Sequence, residues 1–164
     1  MTKNESYDEV KSKTFKFGGV GDFIKGTLTG VTKTTTKDAY GKLSQIYSVL
    51  GEEGTYLDSQ KNEKTGKYVV DSEPTIVEKG KDYNFFISEV KGVVIGAMKD
   101  VVIGQKFMIK FTDLKPTDKG NDAKIIKVFA GKTADGKPLM NKEWLSTKTE
   151  TADDVYNELE NLPE

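Results

Sequence analysis

The sequence contains neither cysteine nor histidine. A chain without cysteine forms no disulfides, no thiolate metal sites and no cysteine nucleophile. Most hydrolytic triads and zinc sites also need histidine. A catalytic site here would depend on carboxylates, lysine, tyrosine or hydroxyls alone. We therefore expect a protein that is not an enzyme and that holds no cofactor or metal.

Arginine is absent as well, so all 25 basic residues are lysine. Arginine presents a rigid fork of donors that reads guanine edges in a duplex groove, whereas lysine is a hydrated point charge on a flexible stem. The composition therefore disfavours sequence-specific recognition of duplex DNA.

The chain also lacks an apolar run long enough to cross a membrane, which takes about 18 residues. Its start, MTKNESYDEVKSK, has no apolar segment behind the charges and so does not resemble a secretory signal. We expect a soluble cytoplasmic protein, in the host cytoplasm if a phage encodes it, with residues 1–13 as a flexible arm. A length of 164 residues suits one domain with appendages.

Charge is distributed unevenly along the chain. The net charge is −1, but residues 150–164 hold six acidic residues and no basic one, which leaves 25 basic and 20 acidic residues, a net of +5, over residues 1–149. An acidic tail on a basic body is typical of partner binding. We expect residues 146–164 to be disordered until a partner binds. The tail residues expected to contact it are Asp153, Asp154, Tyr156, Glu158, Leu159, Glu160 and Leu162.

A β-hairpin is predicted between residues 107 and 129. Phe107, Ile109 and Phe111 alternate with more polar residues, and this period of two places one row of side chains in the core. The loop LKPTDKGND has the residues of a chain reversal. The second strand places Lys127 and Phe129 on the outer face. Single-stranded nucleic acid requires such a surface, because phosphates need positive charge and bases need a flat ring.

Three further strands precede this hairpin. The glycines of GDFIKGTLTGVTK, residues 21–33, predict strong coiling or the close approach of another backbone. In the strand at 43–50, Tyr47 is either a core residue or a stacking platform, and the core is favoured because buried aromatics are commoner. Residues 51–81 contain three polar turn signals and are interpreted as an inserted β excursion. YNFFIS, at 83–88, is the next strand.

One helix is predicted between residues 90 and 101, where the period changes from two to the helical repeat. Its apolar face comprises Val90, Val93, Val94, Ala97, Met98 and Val101. Trp144 is the only tryptophan, and we interpret it as a lid over the core in preference to a base-stacking residue.

The order strand, strand, strand, helix, strand, strand matches the five-stranded OB barrel. With that order, the segments GDFIKGTLTG, MKDVVIGQKFMIKF, KGNDAKIIKV and DDVYNELENLPE resemble the OB-fold single-stranded DNA-binding proteins of bacteriophages. The resemblance implies a mainly β fold. It would comprise a five-stranded OB barrel over residues 14–145, one short helix between strands three and four, the insertion at 51–81, and the tail at 146–164.

The function that this resemblance implies is coating of single-stranded DNA, without sequence specificity, in phage replication, recombination or repair. Replication or recombination proteins would bind the acidic tail, and a homo-oligomer is compatible with this role. Two alternatives stay open: a protein-binding or virion-structural β domain, and an RNA-binding OB barrel. By face and loop position, the residues expected to contact nucleic acid are Lys25, Thr27, Lys33, Lys37, Tyr40, Lys42, Lys110, Lys115, Lys119, Lys127 and Phe129.

Overall fold

The structure is a computed structural model that describes residues 12–37, 41–89, 91–117 and 122–147. This part of the chain contains nine strands and two helices. The strands are β1 (Lys13–Thr14), β2 (Phe23–Lys33), β3 (Ser44–Tyr56), β4 (Ser59–Lys61), β5 (Tyr68–Val70), β6 (Thr75–Ile76), β7 (Asp82–Ser88), β8 (Lys106–Lys115) and β9 (Ala123–Ala130). The helices are α1 (Gly92–Met98) and α2 (142–147). The mainly β prediction is confirmed, with a second helix that was not expected.

The main sheet is mixed and runs in the order β1-β7-β3-β2-β8-β9, with β6 paired to β3. Its ladders are antiparallel except for the parallel pair β1 and β7. A closed five-stranded barrel would need β7 to pair with β9. No ladder joins these two strands in the described residues, so the expectation of a closed barrel is not met.

The N-terminal segment fills the gap between β7 and β9, which we call the seam. The Phe15 N–H donates to the Asn84 carbonyl at 2.7 Å, and the side chains of Phe15 and Phe17 are buried in the core. On the opposite side, the Lys124 ammonium donates to the Phe17 carbonyl at 2.6 Å. Aromatic packing and one lysine thus join two edges that a closed barrel would join by backbone hydrogen bonds.

The core follows the alternation predicted for the strands. In β8, Phe107, Ile109 and Phe111 are all buried. Tyr47 is also a core residue, as favoured from the sequence, and its ring stacks on Phe85 with 5.2 Å between centroids. Burying a side chain of this size contributes about 1.5–3 kcal/mol to the free energy of folding, so these four residues together stabilise the fold substantially.

Helix α1 differs from its prediction in length and face. It is 7 residues long and buries Val94 and Met98, one turn apart, whereas Val93 is 88 % exposed. The prediction that Val93 lies on the buried face was wrong, because the helix turns Val94, Ile95 and Met98 toward the core instead. The other predicted face residue at the start, Val90, lies outside the described residues.

The inserted excursion begins later than expected. Strand β3 continues to Tyr56, so residues 51–56 belong to the main sheet. Strands β4 and β5 then form a separate two-stranded hairpin, and β6 returns to pair with β3. The described part of the insertion therefore contains one small hairpin outside the main sheet.

Candidate nucleic-acid interface

Four of the predicted contact residues, Lys25, Lys110, Lys127 and Phe129, lie on the side of β2, β8 and β9 that faces away from the core. We call this surface the outer face. Lys25 lies opposite Met108 in the β2–β8 ladder, and Met108 lies opposite Phe129 in the β8–β9 ladder. In the next row, Lys110 and Lys127 are directly opposed. The structure therefore brings together three lysines and a half-exposed phenylalanine at the spacing of neighbouring strands.

The lysines of the outer face form no ion pairs with the acidic residues that the structure describes. Among the described residues, none of Lys25, Lys110 and Lys127 forms an ion pair, although Glu53 lies opposite Lys25 in the β2–β3 ladder. Like charges directly opposite each other in a sheet repel. A bound anion would relieve the repulsion between Lys110 and Lys127.

The loop lysines lie at the ends of strands. Lys37 and Lys42 are exposed in the β2–β3 connection, and Lys115 is exposed at the end of β8. Lys33 is exposed but its ammonium lies 3.7 Å from a carboxylate oxygen of Glu89. The predicted contacts Tyr40 and Lys119 lie outside the described residues.

Thr27 is the predicted contact that the structure removes from the surface. Its relative exposure is 0 %, and its hydroxyl accepts a hydrogen bond of 2.9 Å from the Asn141 amide. Strand alternation places Thr27 on the outer side as expected, but the segment that leads into α2 covers it. Asn141 is held there because its own N–H donates to the Gly104 carbonyl at 2.7 Å. We therefore correct the assignment: Thr27 is a packing residue.

The same segment places Trp144 at the edge of the sheet. The Trp144 N–H donates to the Asn141 side-chain oxygen at 3.0 Å, so Asn141 caps the first turn of α2. The ring is half-buried and lines a cavity of about 430 Å³ with Leu50 and Lys106. This position is compatible with the expected lid and lies beside the outer face.

A second surface was not predicted from the sequence. A cleft of about 580 Å³, which we call the seam cleft, follows the seam between β7 and β9. Its apolar surface includes Phe86, which is 50 % exposed and lies opposite Ile46 in the β3–β7 ladder. Lys91 and Lys124 line the cleft, as does Tyr68 of the β4–β5 hairpin.

Lys124 has an unusual electrostatic environment. Burial lowers its pKa from the ordinary 10.5, the nearby charge of Lys91 lowers it further, and Asp22 partly opposes both effects. Neither Lys91 nor Lys124 forms an ion pair within the described part of the chain. Two lysines thus line one cleft, and neither forms an ion pair with a described carboxylate, which is a favourable environment for a bound phosphate.

The seam cleft escaped prediction because its residues come from six separate stretches of the chain. One local signal was present in the sequence. In β7, alternation allows only one of the adjacent residues Phe85 and Phe86 to face the core, and Phe85 is the buried one. Two neighbouring phenylalanines in one strand therefore indicate that one aromatic ring points away from the core.

The tail residues expected to recruit a partner, from Asp153 to Leu162, lie outside the described residues. In the described part of the chain, neither helix has the length and apolar character needed to span a membrane. No group of three or more acidic residues is close enough to hold a metal ion there.

No family model matches this sequence, and no curated protein is significantly similar to it.

Proposed function

We propose that this protein binds single-stranded DNA without sequence specificity and coats it in phage-type replication, recombination or repair. The observation that carries the proposal is the seam cleft, where the exposed ring of Phe86 lies with Lys91 and Lys124, two lysines without carboxylate partners in the described chain. Bases stack on aromatic rings whatever their identity, and lysines neutralise the phosphates that link them.

The strand arrangement supports an OB-type barrel that is open at the seam. Strands β2, β3 and β7 form a meander, α1 follows, and β8 returns to pair with β2 before β9 pairs with β8. In OB folds, the face of the second and third strands and the adjoining loops bind oligonucleotides. In the barrel that we propose, those strands are β3 and β7, and Phe86 lies on the side of β7 that faces away from the core.

The outer face would be a second part of the binding site, on the opposite side of β9 from the seam cleft. Strand β9 contributes Lys124 and Ile126 to the seam cleft and Lys127 and Phe129 to the outer face. A strand of DNA that crosses β9 would therefore meet lysines on both sides of it. Release of counterions from several phosphates would make the binding strongly dependent on salt.

The decisive experiment measures fluorescence anisotropy with labelled oligo-dT, a duplex and RNA of equal length. We expect the tightest binding to oligo-dT, with a loss of roughly tenfold or more in affinity between about 50 and 200 mM salt. Equal affinity for the duplex would indicate a general polyanion surface, and tighter binding to RNA would favour the RNA-binding alternative. No binding to any of the three would favour a protein-binding or virion-structural domain.

The two ends of α1 offer a matched pair of variants. Lys91 precedes the helix and lines the seam cleft, whereas Lys99 follows the helix and does not line it. Lys91→Gln should weaken binding to oligo-dT several-fold, and Lys99→Gln should change it little. Equal effects of the two substitutions would mean that only net charge matters and that the cleft is not the site.

A further inference from the structure

The β4–β5 hairpin forms one wall of the seam cleft. Among the described strands it pairs with no other, yet Ser59, Tyr68 and Val70 all line the cleft. Tyr68 is 66 % exposed, so much of its ring is accessible to a ligand in the cleft. A two-stranded hairpin is marginally stable by itself, so its position depends on contacts with the rest of the molecule.

Lys16 supplies that contact. Its ammonium lies 3.2 Å from a carboxylate oxygen of Asp58 and 3.2 Å from the hydroxyl of Ser59, at the base of the hairpin. It also lies 5.8 Å from the centroid of the Tyr68 ring. Because Lys16 lies between the core residues Phe15 and Phe17, the hairpin and its tyrosine are attached to a well-packed part of the molecule.

Charge favours a polyanion as the occupant. The hairpin, residues 59–70, contains three lysines and one glutamate, and all four are exposed. Across the cleft are Lys91 and Lys124, which form no ion pair within the described residues. An apolar peptide would cover the rings but would leave these positive charges facing each other, whereas single-stranded DNA satisfies both.

We infer that the hairpin is a second wall of the DNA site, in which Tyr68 stacks on a base and Lys16 holds the ring in position. This inference rests on the proposed function. It adds a stacking residue that lies outside the main sheet, on the inserted segment, and it gives the insertion a role in binding. The Lys16 ammonium lies over one face of the Tyr68 ring, and the nucleobase would stack on the exposed part of the ring.

The test compares Tyr68→Ala, Tyr68→Phe and Val69→Ala by anisotropy with oligo-dT. Val69 is on the same strand, is exposed, and does not line the cleft, so it is the matched control. We expect about tenfold weaker binding for Tyr68→Ala, as for loss of one stacked base, and little change for the other two. An oligonucleotide of abasic sites should bind the wild type and Tyr68→Ala equally.

The outcomes separate the two proposals. If the wild type does not bind oligo-dT, the proposed function is wrong. If it binds and Tyr68→Ala binds equally well, only the role of the hairpin is wrong. If Tyr68→Ala also weakened binding to the abasic oligonucleotide by the same factor, the stacking role would be wrong, because the tyrosine would then contribute to affinity without a base to stack on.

A double-mutant cycle tests the role of Lys16. If Lys16 acts by positioning Tyr68, the combination Lys16→Ala with Tyr68→Ala should weaken binding by less than the product of the two single effects. The control cycle pairs Lys127→Ala with Tyr68→Ala and should be multiplicative. A multiplicative result for Lys16 would show that it does not position the ring.

Discussion

At the scale of single residues, Asp22 does more than the sequence indicated. One of its carboxylate oxygens accepts hydrogen bonds from the N–H groups of Gly18 at 3.0 Å, Gly19 at 2.8 Å and Leu57 at 2.9 Å. The two glycines precede β2 and Leu57 follows β3, so one buried side chain ties the turn to the distant end of its partner strand.

Asp22→Ala should therefore be strongly destabilising. Three N–H groups would lose their acceptor, and we expect the free energy of unfolding to fall by about 3 kcal/mol in urea denaturation. Asp113 is exposed at the end of β8, and Asp113→Ala should change stability by less than about 0.5 kcal/mol. Similar stability of the two variants would contradict the role assigned to Asp22.

Lys124 should make DNA binding sensitive to alkaline pH. Burial and the charge of Lys91 lower its pKa below 10.5, so the unbound protein loses this proton before its ordinary lysines do. Bound phosphate favours the protonated form, and affinity should therefore fall as pH rises through the lowered pKa. Lys124→Arg keeps its charge throughout this range and should lack the early fall. Identical pH profiles for the two proteins would exclude Lys124 from the site.

At the scale of elements, β2 and β3 approach each other closely at Gly26. A Cβ on Gly26 would lie 2.2 Å from the carbonyl oxygen of Leu50, whereas one on Gly30 would lie 3.7 Å from its nearest neighbour, in Ser48. The register of the β2–β3 ladder also shifts between Lys25 and Gly26. The close approach predicted from the glycines is thus confirmed at Gly26.

These two glycines in one strand permit a matched comparison. Gly26→Ala should lower the free energy of unfolding by about 2 kcal/mol or more, because the backbone of β3 must move to accommodate the methyl group. Gly30→Ala should change it by less than about 1 kcal/mol. Thermal or urea denaturation of both variants measures the difference. Equal losses of stability would mean that the close contact at Gly26 does not determine the cost of adding a methyl group there.

The two faces of the β8–β9 hairpin should respond differently to truncation. Ile109 is fully buried, so Ile109→Ala should lower stability by about 2–5 kcal/mol. Phe129 is half-exposed on the outer face, and Phe129→Ala should weaken oligo-dT binding while leaving the melting temperature nearly unchanged. Unfolding of Phe129→Ala would show that this ring is part of the core.

At the scale of the whole molecule, opposite charges are separated along the chain. Residues 1–149 carry a net charge of +5, and residues 150–164 carry six acidic residues without a basic one. A tethered acidic segment has a high effective concentration near the lysines of the same molecule. It would compete weakly with DNA for them, and the competition would be strongest at low salt.

Deletion of residues 150–164 should consequently tighten binding to oligo-dT at low salt and have less effect at physiological salt. The same deletion should abolish recruitment of any replication or recombination partner by the tail. Anisotropy titrations at two salt concentrations measure the first effect. If the truncated protein binds no better at low salt, the tail does not compete for the lysines.

Much of the molecule could be predicted from local patterns. The period of two assigned the faces of β8 and β9 correctly, so Lys110, Lys127 and Phe129 lie on the outer face as expected. Alternation depends only on neighbouring residues along one strand, because successive side chains point to opposite sides. The excess of lysine in the body and the acidic character of the tail are properties of composition, and they hold whatever the fold.

Which outward positions are exposed, and which distant residues meet, depends on how the elements pack. Thr27 points outward by alternation but is covered by Asn141, a residue more than a hundred positions later in the chain. The seam cleft joins Lys16, Phe86 and Lys124 because Phe15 and Phe17 pack into a gap between two strands that do not pair. Such meetings depend on how elements pack over long separations, and no local period of the sequence carries that information.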